Sequence, residues 1–122
     1  VDLTPNQNFM KQVILKLRKF AKQRKWDKFH SPKNLACSIS VESAELLELF
    51  QWSKGNKWAD LKNKKFRRKV EEELADIFLY LLRFADKGRF DLFKAATQKL
   101  KLNASKYPVS KSRGTDAKYT EL

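Results

Sequence analysis

The chain has 122 residues, 42% of them apolar, and carries 27 Lys and Arg against 14 Asp and Glu, a net charge of +13. That length supports one core and not two, and the apolar content excludes a disordered chain. Three Gly and three Pro are too few turn residues for an all-β sandwich or barrel, and one Cys excludes an internal disulfide framework.

Four helices are predicted in chain order. The first runs from about residue 4 to 26, where Phe9, Val13, Ile14, Leu17, Phe20 and Ala21 recur every three or four positions. The second begins at Ser31-Pro32, an N-cap followed by proline at the first helical position, and reaches about residue 52. Residues 53–62 read as a polar loop. The third starts near residue 63 and ends at Lys87-Gly88, with the glycine as its C-cap and Val70, Leu74, Ile77, Leu81 and Phe84 as its stripe. The fourth is capped by Asp91 and stops before Pro108. The expected fold is therefore an all-α four-helix bundle, one domain over residues 1–108 with a basic C-terminal tail over 109–122. Ile77, Phe78, Leu79, Leu81 and Leu82 make the third helix apolar over a wide arc. Three partners of this size do not cover such a helix, so a homo-oligomer, dimer or tetramer, is expected. No apolar run approaches the ~18 residues of a membrane span, which points to a cytoplasmic protein.

The net charge alone suggests a nucleic-acid binder, and Lys64, Lys65, Arg67, Arg68 and Lys69 add a basic cluster. The acids argue otherwise. Seven of the 14 fall in two groups, Glu42, Glu45 and Glu48, then Glu71, Glu72, Glu73 and Asp76, and residues 34–53 contain no Lys or Arg. Residues three apart share a helix face, so Glu42 with Glu45 and Glu73 with Asp76 can each converge on one point. Glu72, four before Asp76, competes with Glu73 for that face, and Glu48 is a candidate fifth ligand. Such acids repel one another unless a cation sits among them, and an all-oxygen set suits Mg²⁺ or Mn²⁺ better than Zn²⁺. A single E-x-x-E is common on solvated helix faces. Two such motifs are more informative, and Asp76, Tyr80 and Arg83 lie among strongly apolar neighbours, where an unpaired carboxylate costs several kcal/mol.

The segments VESAELLELFQW, EEELADIFLYLL, KLNASKYP and AKYTEL resemble the dCTP pyrophosphatases, within the MazG-like all-α nucleoside triphosphate pyrophosphohydrolases. The family motif E-x-x-E, spacer, E-x-x-D stands here as Glu42 to Glu45, a spacer of 27 residues and Glu73 to Asp76. The resemblance implies Mg²⁺-dependent cleavage of a nucleoside triphosphate, dCTP or a modified dCTP, between the α and β phosphates. It implies Glu42, Glu45, Glu73 and Asp76 as the metal-binding catalytic acids, and Trp26, Trp52 and Tyr80 around the base. It implies Lys99 and Asn103, four apart on the fourth helix, at the triphosphate, and Arg113, Lys118 and Tyr119 in a tail that closes over the site about Gly114. Leu17 stands where the family often has a base-binding His, giving a hydrophobic wall that still accepts cytosine. His30 reads as a structural residue at the entry to the second helix, Cys37 as a small apolar one. The contrasting functions are a basic helical nucleic-acid-binding protein without hydrolase activity and an inactive interaction protein.

Overall fold

The computed structural model describes residues 7–52 and 55–122. The start of the first predicted helix at residues 4–6, and residues 53–54 of the polar loop, lie outside them. Four long helices occur where the periodicity places them: α1 (Gln7–Gln23), α2 (Pro32–Glu48), α3 (Lys64–Gly88) and α4 (Leu92–Lys106). A single-turn helix α5 (Val109–Ser112) follows, and short 3-10 turns cover Asp27–Phe29, Trp58–Lys62 and Tyr119–Glu121. No strand occurs among the described residues, so the expected all-α class stands. No described helix is long and apolar enough to cross a membrane.

Two compact units divide the chain, one ending at Gly88 and the other running Arg89–Leu122. In the first, α2 and α3 pack extensively against each other, while α1 meets α3 more sparingly. Leu35 of α2 (2% exposed), Ala21 of α1 and Val70, Leu82 and Ala85 of α3 are its buried apolar residues. The stripe read along α3 is only partly covered. Leu74, Phe78 and Leu81, spaced four and three apart, are 50%, 44% and 36% exposed. Helical period marks an apolar face without saying whether the chain itself covers it.

Local chemistry sets the helix ends. Ser31 caps α2, its Oγ accepting from the Asn34 backbone N–H at 3.1 Å. Asp91 caps α4 by accepting from the Lys94 N–H at 2.9 Å. α2 is shorter than expected, ending at Glu48, with Trp52 four residues beyond it. At the end of α3 it is Arg89, φ 57°, that takes the left-handed conformation, with Gly88 the last helical residue. The C-cap expected at Gly88 is therefore shifted by one residue onto an arginine.

α1 ends in the same way at Lys25, φ 54°. The Trp26 N–H donates to the Ala21 carbonyl at 2.9 Å and the Lys25 N–H to the Lys22 carbonyl at 3.1 Å, the paired bonds of a Schellman motif. This turn sets Trp26 edge-on to Phe20, ring centroids 5.5 Å apart. Arg18 of α1 grips Asp86 of α3 through two hydrogen bonds of 2.8 and 2.6 Å, tying the two helices by their polar edges.

In the second unit, Tyr107 follows α4 and meets Tyr119 edge-on at 6.0 Å, with the Lys106 ammonium 4.8 Å from the Tyr119 ring. Gly114, φ 79°, makes the turn between α5 and the last residues.

Leu35 is the deepest apolar side chain, so Leu35→Ala should destabilise the protein by about 2–5 kcal/mol in a denaturant titration. Ser31→Ala should cost about 1 kcal/mol, through loss of the cap alone.

Candidate active site and metal centre

The pairing of α2 with α3 brings the acidic motifs together. One carboxylate oxygen each from Glu42, Glu73 and Asp76 lies within 4.8 Å of the others. Glu45, one turn from Glu42, is close enough to hydrogen-bond both Glu42 and Glu73 when a proton is shared. The register left open by three consecutive glutamates resolves here. Glu73 joins the cluster, whereas Glu72 is exposed and outside it and Glu71 pairs with Arg67 at 3.5 Å.

Within this cluster the acids lack partners. Oε2 of Glu42 and Oε2 of Glu73 are buried without a hydrogen bond. None of the ion pairs among the described residues brings a Lys or Arg to the four acids. Burial first, then contact with Glu45 and the charge of Asp76, pushes the Glu42 carboxyl up to about 7. Glu73 is raised as well, by burial first and then by the charge of Glu45. Hard oxygen donors with orphaned lone pairs and no ion-paired Lys or Arg among the described residues are suited to a divalent cation of the Mg²⁺ or Mn²⁺ kind. The residues present fit such an ion.

Two spaces flank the acids, both within the first unit. A cavity of about 210 Å³ has Glu42 and Asp76 in its wall. Leu17, Phe20 and Ala21 of α1 and Trp26 line it as well. So do Leu79, Tyr80 and Arg83 of α3 and His30, just before α2, whose ring lies 6.4 Å from that of Trp26. An open cleft of about 650 Å³ is lined by Glu45, Glu48 and Glu73, with Leu49, Phe66 and Lys69. The four acids thus divide between an aromatic cavity and an open, charged cleft.

Trp26 and Tyr80 line the cavity, and so does Leu17. Trp52 does not, being 91% exposed beyond the end of α2. Lys99, Asn103, Arg113, Lys118 and Tyr119 belong to the second unit, Asn103 half-buried and the others exposed. The sequence reading takes His30 as structural and gives Arg83 no site role, yet both line the cavity. His30 and Arg83 lie 53 positions apart and meet when Arg83 Nε donates to His30 Nδ1 at 3.0 Å. No spacing rule reaches across that distance; the one available signal was a charged Arg83 among apolar neighbours.

The MazG-like family model matches residues 37–122. The chain is 40% identical to dCTP pyrophosphatase 1 of Rattus norvegicus over 104 residues and 38% identical to dCTP pyrophosphatase 1 of Homo sapiens over 104 residues. In both cases 84% of this chain is covered, and the chain spans 61% of the relative's length. The crystal structure of a pyrophosphatase from Archaeoglobus fulgidus is 39% identical and superposes with a TM-score of 0.76, covering 88% of this chain and 99% of that one. With both acidic motifs inside the matched residues, the chain belongs to the MazG-like family.

Proposed function

We propose that this protein is a Mg²⁺-dependent nucleoside triphosphate pyrophosphohydrolase that converts dCTP, or a modified dCTP, and water to the monophosphate and diphosphate. The observation that carries the reading is the position of the carboxylate cluster, with its orphaned oxygens, between an aromatic cavity and an open cleft. A base fits the first space and a triphosphate chain the second, with the reacting phosphorus beside the acids. The similarity to dCTP pyrophosphatases supports the substrate.

On this reading Glu42, Glu45, Glu73 and Asp76 hold the cation. When bound, it neutralises phosphate oxygens and lowers the pKa of the attacking water. Trp26 and Tyr80 supply flat surfaces for the base. A carboxylate of the cluster, or Glu48 at the cleft, takes the proton of the water as its oxygen bonds to the α-phosphorus and diphosphate departs. Lys99 and Asn103 serve the phosphates, an ammonium as a point charge and an amide as a donor. By the resemblance Trp52 would join the base site, although it stands exposed outside the cavity of the single chain, and Arg113, Lys118 and Tyr119 would close over that site from the tail. The same reading takes residues 1–108 as one catalytic domain with 109–122 as its tail. It also includes a homodimer or homotetramer, to cover the bare stripe of α3, and a cytoplasmic location.

A panel of deoxynucleoside and ribonucleoside triphosphates with Mg²⁺ or Mn²⁺ should yield monophosphate and diphosphate, with dCTP preferred. Release of orthophosphate would overturn the bond assignment. Absence of hydrolysis with steeply salt-dependent binding to duplex DNA would favour the nucleic-acid reading. Glu45→Ala and Asp76→Ala should each lower kcat by more than the roughly 10–100-fold typical of losing an outer-shell partner of a metal.

The raised Glu42 pKa has a sign. An acid whose folded pKa lies near 7 rather than 4.5 binds extra protons in the folded state, and its contribution to stability is lost as pH rises through about 7. The metal-free protein should therefore show a Tm that falls between pH 5 and 8. Mg²⁺ or Mn²⁺ should raise Tm more at pH 8 than at pH 5, and Glu42→Gln should flatten both trends in a thermal scan.

A further inference from the structure

Lys69, Glu73, Asp76 and Tyr80 are spaced four, three and four apart on α3, so they form one stripe along the helix. Tyr80 and Asp76 line the aromatic cavity, while Glu73 and Lys69 line the open cleft. At about 1.5 Å of rise per residue, Tyr80 lies about 6 Å past Asp76 at one end, and Lys69 about 6 Å before Glu73 at the other. The stripe therefore runs from an aromatic ring, through two metal-binding acids, to an ammonium.

Lys69 is the one cation among the described residues that line the cleft, where it joins Glu45, Glu48 and Glu73. It is exposed and enters no ion pair among the described residues, although Glu73 follows it by one turn. Arg67 and Glu71, offset in the same way on the same helix, do pair at 3.5 Å. Phe66 and Leu49, also in the cleft wall, offer apolar surface to the methylene stem of the lysine. The start of α3 adds positive potential at this end. Asn63 caps it, its Oδ1 accepting from the Phe66 N–H at 3.0 Å, and the positive end of the helix dipole lies there. Lys64, Lys65, Arg67 and Arg68 stand close by in sequence without lining the cleft. The charge along α3 thus changes sign from the acids toward Lys69. Such a gradient suits an anion whose near end meets a metal and whose far end extends past it.

We propose that Lys69 binds the terminal phosphate of the substrate and so makes the site select nucleoside triphosphates over diphosphates. The inference rests on the nucleotide reading above and adds to it the residue that reads the length of the phosphate chain. With the base beside Tyr80 and the α-phosphorus beside the acids, the outer phosphates extend along the cleft toward Lys69. An ammonium there meets the terminal phosphate as a point charge. It belongs to the same compact unit as the acids and is set in register with them by α3 itself. A diphosphate, one phosphate shorter, leaves that ammonium without a partner.

The test compares hydrolysis of dCTP with that of dCDP, which cleavage at the same bond converts to dCMP and orthophosphate. Wild type should prefer dCTP, and Lys69→Met should narrow that preference in kcat/KM by roughly tenfold, as expected for one hydrogen bond between charged groups. The loss should fall on KM for dCTP more than on kcat, and Lys69→Arg, which keeps the charge, should retain most of the preference. Arg68→Met removes an equal charge from the neighbouring position and should leave the preference unchanged. Titration of the nucleotide-free protein with Mn²⁺ gives a readout free of activity. Lys69→Met should bind Mn²⁺ at least as tightly as wild type, because a repelling charge beside the acids is gone. A weaker Mn²⁺ site in Lys69→Met would make the lysine a support for the acids and overturn the inference. An unchanged preference in Lys69→Met, or an equal loss in Arg68→Met, overturns it too, and each of these results leaves dCTP hydrolysis standing. A wild type that hydrolyses no triphosphate overturns the nucleotide reading and this inference with it.

Discussion

Four like charges held at one point govern this structure. α2 and α3 could pack through apolar residues alone, yet their shared seam carries Glu42, Glu45, Glu73 and Asp76 with no Lys or Arg paired to them among the described residues. Burying carboxylate oxygens without donors costs several kcal/mol in general, and repulsion adds to it. The fold bears that cost through the extensive α2–α3 contact around Leu35 and Val70. Protons at low pH or a divalent cation at neutral pH relieve it, so the same strain that weakens the bare protein is the affinity of the site.

The polar groups elsewhere follow the opposite rule. Asp86 accepts two hydrogen bonds from Arg18, and that contact holds its carboxyl below the usual range. Lys87, followed by Arg83, does the same for Asp27. Both acids are satisfied, whereas the cluster is not. The contrast is informative: the chain carries 27 Lys and Arg, and no ion pair among the described residues joins one of them to the four acids.

Much of this was legible in the sequence because the signals are local. Ser31-Pro32 and Asp91 announce helix starts through atoms three residues away, and a carboxylate at every third position shares a face by helix geometry alone. The choice of Glu73 over Glu72 was not legible, since it depends on the rotation of α3 against α2. The end of α3 at Gly88 was legible, but not the left-handed caps, which fall on Lys25 after α1 and Arg89 after α3 rather than on the glycine that is the usual signal. Phe20 read as core because a cavity wall and a core face have the same period, and Arg83 with His30 is a contact that only folding creates.

The aromatic wall is fastened differently from the acids it faces. α1 leans on α3 through fewer contacts than α2 does, and its clasp is a guanidinium fork, with Arg18 more than half exposed, rather than a deep apolar seam. Ions in solution screen such a clasp while leaving apolar packing nearly untouched. The side of the cavity built from α1 is thus the less firmly packed one, and local opening is expected there before it reaches the α2–α3 seam. On the proposed reading, ionic strength becomes a dial on how readily a planar ring can slip in and out, one that turns without disturbing the acids on the other two helices.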